Sequence, residues 1–170
     1  MAVTALPVLH LALLLVVAVL ACSKLVHADD FKYGRATFYD DNGQGACQYF
    51  NNIPEWYAAW PDTMEGFSSS CGKCVEVACV DQDFSDGYGQ MISRKGMCYD
   101  EGKSVVVKIT DACPCVHQNF YSNKRWCCGD MRHLDLGRKA FQELASENWG
   151  VIGLKFREVD CNKGLGVHRI

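Results

Sequence analysis

Ten cysteines fall between Cys47 and Cys161, and an even set at that density dictates much of what this chain can become. They are Cys47, Cys71, Cys74, Cys79, Cys98, Cys113, Cys115, Cys127, Cys128 and Cys161. In an oxidising compartment they form a disulfide framework of five bridges, each worth roughly 2–4 kcal/mol by restricting the unfolded chain. Sequence leaves the connectivity open. Cys127 and Cys128 are neighbours that do not readily bridge each other, so each is expected to pin a different part of the chain. In a reducing compartment Cys71-x2-Cys74 and Cys113-x-Cys115 would suit zinc. Cys71-Gly72-Lys73-Cys74 also has thioredoxin-like spacing, but Val75-Glu76-Val77 reads as a strand where that motif needs a helix.

The compartment follows from the first segment. Residues 11–20 (LALLLVVAVL) are a continuous apolar run, too short to span a bilayer alone, followed by Val26-His27-Ala28. The expectation is a signal peptide over residues 1–28, cleaved before Asp29, and one domain over 29–170. Neither Lys nor Arg precedes the run, which leaves two alternatives. One is an uncleaved anchor from near Ala2, interrupted by Pro7 and His10. The other is a lipoprotein site at Val19-Leu20-Ala21-Cys22. Removal of residues 1–28 takes Cys22 and Lys24 away and leaves a net charge of −4. With no polybasic run, a nucleic-acid partner is excluded, and no membrane contact is expected after signal removal. No Asn-x-Ser/Thr triplet occurs, so N-glycosylation is not expected.

Short strand patterns dominate the rest: residues 35–39, 73–79, 104–110 and 153–159, separated by turns such as Asp41-Asn42-Gly43. Val105-Val106-Val107 with Ile109 is too continuously apolar for a half-exposed strand and is expected to cross the core. Residues 136–147 (LGRKAFQELASE) place Ala140, Phe141, Leu144 and Ala145 on one helical face, with Asp135 before them and Asn148 and Gly150 as a stop. Residues 55–60 (EWYAAW) read as a short helix or loop, either a satellite core or an aromatic platform. Many strands and one late helix predict an all-β fold, a small barrel with one accessory helix.

Six blocks, in order, carry a resemblance. Gly34-Arg35-Ala36-Thr37-Phe38-Tyr39 resembles the opening strand of the expansin N-terminal domain, and Gly45-Ala46-Cys47-Gln48-Tyr49 its Gly-Ala-Cys-Gly-Tyr, with Gln48 in place of glycine. Residues 71–77 resemble its Cys-Gly-x-Cys strand, and residues 107–114 (VKITDACP) its next core strand. His133-Leu134-Asp135-Leu136 is similar to the His-Phe-Asp-Leu motif, and residues 154–161 (LKFREVDC) to the closing strand. The resemblance implies a six-stranded double-psi β-barrel, shared with family 45 endoglucanases and plant natriuretic-peptide-like proteins. Only nine residues follow Cys161, so the second, polysaccharide-binding domain of full expansins is expected to be missing.

Asp135 is the candidate acid. Its competing role is a helix N-cap, which would lower its pKa where a general acid needs it raised. Asp111 matches an acid lining the family's groove, or else serves an Asx turn before Pro114. Thr37 matches a groove-facing threonine. Family 45 hydrolases carry a base Asp four residues beyond such a threonine. Counting from Thr37 reaches Asp41, with Asp40 beside it, although Asp40-Asp41-Asn42-Gly43 is also an ordinary turn. Tyr39, Tyr49, Trp56 and Trp60 are candidate platforms for sugar rings, with Tyr57 and Trp126 also available, and His133 is a further groove candidate. No cofactor and no metal are expected.

The implied function is a secreted, monomeric wall protein that binds cell-wall polysaccharide of the β-glucan type and loosens it without efficient hydrolysis. Three alternatives differ in chemistry. A weak inverting endoglucanase would use Asp135 as acid and Asp41 or Asp40 as base. A signalling or defence protein would leave the groove idle. A lytic transglycosylase of the same barrel type fits the cysteine density poorly.

Overall fold

Alternation of small and branched apolar residues with polar ones makes strands of most of this chain. The computed structural model describes residues 30–41, 43–115 and 121–170. The expected signal segment and its cleavage point lie outside these residues. Nine strands form: β1 (Lys32–Tyr39), β2 (Tyr57–Pro61), β3 (Cys74–Cys79), β4 (Asp83–Ser85), β5 (Met91–Ser93), β6 (Lys103–Cys113), β7 (His133–Gly137), β8 (Ile152–Val159) and β9 (Gly166–Arg169). Two α-helices accompany them among the described residues, α1 (Tyr121–Cys127) and α2 (Arg138–Leu144).

The ladder order β2-β7-β1-β8-β3-β6 closes on itself, because β6 also pairs with β2. Six strands therefore form a ring. β1 with β7 and β2 with β6 are parallel, and the other ring pairings are antiparallel. β6 is long enough to give its first residues to β9 and its last to β2. β4 and β5 form a separate hairpin. Inside the ring sit Val75, Val77, Val105, Val107, Ile109 and Leu154, all fully buried. At roughly 25 cal/mol per Å² of apolar surface, filling this interior is the main favourable term. Val105, Val106 and Val107 are all at zero exposure, as a core-crossing strand requires.

Three expectations are corrected. The helix expected from Leu136 begins at Arg138, because Leu134 and Leu136 point inward with Asp135 between them on the groove side. The period of two governs those residues, not the period of 3.6. Ala140, Phe141 and Leu144 are buried, as the helical face demands. Residues 55–60 are neither helix nor loop: from Tyr57 they become β2, and Trp60 goes into the core edge-on to Phe156 at 5.8 Å. The single accessory helix becomes two. α1 carries Trp126 and Cys127 against a second apolar cluster outside the ring.

The cysteines pair Cys47–Cys71, Cys74–Cys161, Cys79–Cys98, Cys113–Cys127 and Cys115–Cys128. The adjacent Cys127 and Cys128 thus clamp α1 to the end of β6 through two bridges two residues apart. That differs from the expectation that each would pin a separate part of the chain. α1 ends at Cys127, and the partners are Cys113 at the end of β6 and Cys115 two residues beyond it.

Candidate functional site

The parallel β1–β7 ladder sets Arg35 opposite His133 and Thr37 opposite Asp135. β2 on the far edge of β7 sets Ala59 opposite Asp135, and the same Ala59 faces Asp111 of β6. One row across four strands thus carries Thr37, Asp135, Ala59 and Asp111 outside the ring. Ala59 separates the two acids in this row.

Asp135 is partly buried and Thr37 Oγ1 donates to its Oδ1 at 2.6 Å. Burial raises the Asp135 carboxyl to about 6, the nearby Asp111 charge adds to this, and the Thr37 hydrogen bond opposes it. The N-cap reading of Asp135 is corrected: Gly137 stands at the N-cap of α2, and no side chain caps that helix. His133 Nε2 lies 3.0 Å from Thr37 Oγ1. Burial, and then the Arg35 charge, hold the imidazole well below its usual pKa, so it is neutral. When Asp135 is charged, His133 Nε2–H donates to Thr37, which donates to Asp135. When Asp135 is protonated, the chain can run the other way. Three groups thereby share one proton order. Asp135 Oδ2 lies 3.7 Å from Cys113 Sγ, a disulfide sulfur with no proton to give.

Tyr39 stands next along β1. Burial first, then the charges of Asp111, Asp41 and Asp135, push its phenol far above the usual range. Its hydroxyl and Thr110 Oγ1 are close neighbours without a well-aligned hydrogen bond between them, and Asp41 Oδ2 is buried without a partner among the described residues. Unpaired buried polar atoms are costly, and atoms of this kind are what a bound hydroxyl group would satisfy. Tyr57 packs edge-on to Tyr39 at 5.3 Å. Its hydroxyl accepts from the Asp41 amide at 3.0 Å and donates to the Tyr39 carbonyl at 3.3 Å. Gly137 permits this, since a Cβ there would sit 2.9 Å from the Tyr57 ring.

The remaining carboxylates each accept at least one hydrogen bond. Asp111 Oδ1 accepts from the amides of Ala46 at 2.6 Å and Ala112 at 2.7 Å, tying the 45–52 loop to β6. Asp41 Oδ1 accepts from the Gly43 amide at 2.8 Å, an Asx-type turn. Asp40 is forked by Arg138 at 2.7 and 2.9 Å, which lowers its pKa, while Arg138 also holds Glu147 at 2.8 Å.

Among the candidate platforms, Trp60 is removed: it is 2% exposed, and its Nε1–H donates to the Glu65 carbonyl. Trp126 is likewise buried, between the guanidinium groups of Arg35 and Arg125. Trp56 is partly buried with Lys139 over its ring, and Tyr49 lies beneath Lys108. Two triads of possible metal donors occur among the described residues, Cys113-Cys127-His133 and Asp81-Cys98-Glu101. Their sulfurs are committed to disulfides and offer no thiolate.

Sequence reasoning missed Arg35. Fully buried, it pairs with Asp130 at 2.6 Å and donates to the carbonyls of Ser85, Arg125 and Trp126. It fastens α1 and the β4–β5 hairpin to the strand that bears Thr37. A charged residue amid alternating apolar ones was the available signal, but its partner Asp130 is 95 residues away.

A closed six-strand ring with two parallel pairings defines a double-psi β-barrel protein. A family model described as lytic transglycolase matches residues 32–156. Expansin-A7 of Arabidopsis thaliana is 32% identical over 149 residues, covering 81% of this chain and 50% of the relative. Expansin-A32 of Oryza sativa subsp. japonica is 32% identical over 149 residues, covering 82% and 51%. The β-1,4-D-endoglucanase Cel45A of the blue mussel Mytilus edulis shares the fold, with a TM-score of 0.54, 20% identity, and coverage of 79% of this chain and 82% of that one. The chain belongs to this double-psi β-barrel family and is expansin-like within it. It spans about half the length of the curated relatives it matches.

Proposed function

We propose that this is a secreted, monomeric wall protein that binds cell-wall polysaccharide, of the β-glucan class, in the outer groove and loosens it without efficient hydrolysis. One observation carries the reading: Asp135, a proton donor paired to Thr37, stands among carboxylates that already accept hydrogen bonds from the chain itself. An inverting hydrolase needs a second carboxylate free to activate water. Asp40 is bound in a fork by Arg138 and Asp111 anchors a loop, while Asp41 closes a turn through Oδ1 and leaves Oδ2 without a partner among the described residues. A neutral acid beside the Tyr39 and Thr110 hydroxyls is suited instead to exchanging hydrogen bonds with sugar hydroxyls. Export is supported by the apolar run at residues 11–20 and by the bridged cysteines. The expansin relatives support the wall as destination.

The test is a pull-down on insoluble wall material beside a reducing-sugar assay on soluble β-glucan. Retention on the wall with sugar release at background supports the proposal. Sustained sugar release makes the protein a hydrolase, and absence of wall retention leaves the signalling or defence reading.

A further inference from the structure

We propose that Tyr88 and Tyr121 form an oxidative cross-linking site, at which hydrogen peroxide, acting through a peroxidase, joins the two rings into an intramolecular dityrosine. The bond would tie the β4–β5 hairpin to α1. Its chemistry does not depend on polysaccharide binding.

The rings of Tyr88 and Tyr121 stack with centroids 4.9 Å apart and planes 11° from parallel. Both are open to solvent, Tyr88 at 47% exposure and Tyr121 at 62%. The chain has seven tyrosines, all of them among the described residues, and one other pair of them meets. That pair, Tyr39 and Tyr57, touches edge-on at 85°, with the Tyr39 hydroxyl buried and the Tyr57 hydroxyl hydrogen-bonded on both sides. Tyr33 and Tyr99 are as exposed as the stacked pair, but neither meets another aromatic ring among the described residues.

The stack is held from beneath. Asp86, 2% exposed, accepts from the Tyr88 and Gln90 amides through Oδ1 at 2.9 and 2.8 Å, and from Arg125 Nε through Oδ2 at 2.7 Å. The Gly87 amide donates to the Arg125 carbonyl at 2.8 Å, and a Cβ on Gly87 would lie 2.7 Å from that oxygen. Arg125 follows Tyr121 by four residues on α1, so both lie on one face of the helix. Arg35 donates to the carbonyls of Ser85 and Arg125 together, which fixes hairpin and helix to a common strand. Two phenols from separate elements are thus kept as neighbours, at an effective concentration that no pair of phenols on different molecules matches in dilute solution.

Each phenol gives up one electron and one proton, and hydrogen peroxide takes up both electrons and both protons to become two waters. The two phenoxyl radicals couple through ring carbons ortho to oxygen. The hydrogen on each of those carbons then moves to its oxygen, which restores both phenols, and the protein has lost two hydrogens in all. One ring must swing out of the stack to make the bond, and the exposure of both leaves room for it.

The test treats dilute protein with a peroxidase and hydrogen peroxide, then reads dityrosine fluorescence, intact mass and the cross-linked peptides. A monomer lighter by two hydrogens, with a peptide joining Tyr88 to Tyr121, is expected. Tyr88→Phe and Tyr121→Phe keep an aromatic ring in the stack but remove one phenol, so each should lower the monomeric product about tenfold or more. Tyr33→Phe and Tyr99→Phe should leave it unchanged. Dityrosine formed only between molecules overturns the proposal, as does a monomeric product that survives in Tyr88→Phe or Tyr121→Phe. Absence of coupling while free tyrosine dimerises in the same reaction overturns it too. Matching thermal melts of the variants guard against unfolding as the cause.

Discussion

Thr37 and Asp135, 98 residues apart in sequence, meet across a parallel ladder with 2.6 Å between hydroxyl and carboxylate oxygen. The pair sits where burial holds Asp135 at about 6, so its proton is present in mildly acidic surroundings and absent at neutral pH. Wall activity is therefore expected to fall as pH rises through about 6, and Asp135→Asn to abolish it at every pH.

The same shift makes a stability prediction. A carboxyl whose folded pKa lies above its unfolded value favours folding at low pH. Its contribution is fully present below about 4 and is lost as pH rises through 6. Asn does not titrate. Urea unfolding at pH 4 and pH 8 should show Asp135→Asn gaining on the wild type at the higher pH, by up to about 3 kcal/mol. A stability difference that is constant between the two pH values would show that Asp135 titrates normally.

Glu76 behaves in the opposite sense. It is fully buried, and although burial pushes its carboxyl up, Lys163, Ser104 and Arg157 together lower it to about 2. Its contribution is present above about 4.5 and lost as pH falls toward 2. Glu76→Gln leaves two cations facing a neutral amide and should cost about 3 kcal/mol at pH 7. Thermal melts should show that cost shrinking as pH drops toward 3.

Asp40→Asn with Asp41→Asn should leave polysaccharide retention unchanged and sugar release at background in both forms. Asn keeps the oxygen that accepts from the Gly43 amide, and the Arg138 pair is exposed, so thermal melts should change little. Wild-type sugar release that collapses in the double variant would establish a base in this pair, since positioned proton transfer is worth roughly 10²–10⁴-fold.

The two bridges that clamp α1 should separate by function. Each closes a short loop, with separations of 14 and 13 residues, and its removal should cost about 3 kcal/mol. Replacing Cys115 and Cys128 by Ala should lower only the melting temperature. Replacing Cys113 and Cys127 should also lower wall activity, because Cys113 sulfur packs against Asp135. Equal loss of activity in both pairs would make the clamp purely structural.

Much of the barrel was legible because its strands carry strong local patterns: Val105-Val106-Val107 cannot be a surface segment, and Ala140, Phe141 and Leu144 define a helical face. β2 and β7 were not legible. Tyr57 and Trp60 are strand residues only because one meets Tyr39 and the other meets Phe156, contacts that no local window contains. Leu136 shares the apolar pattern of the helix after it and was claimed by the wrong period. At the site, Thr37 and Asp135 could be named from motifs, but the coupling to His133 needs the ladder register. The engagement of Asp40 by Arg138 crosses 98 residues and leaves no mark in sequence spacing.

The parallel pairing of β1 with β7 also governs timing. The strand bearing Thr37 cannot meet the strand bearing Asp135 until the chain between them has been gathered in, and closing so long a loop early is entropically unfavourable. No fragment holding one strand can carry the site. In refolding from denaturant with bridges intact, recovery of wall binding should track the slowest phase of tertiary structure formation. A half-assembled molecule would then be inert toward polysaccharide until its last non-local contacts close.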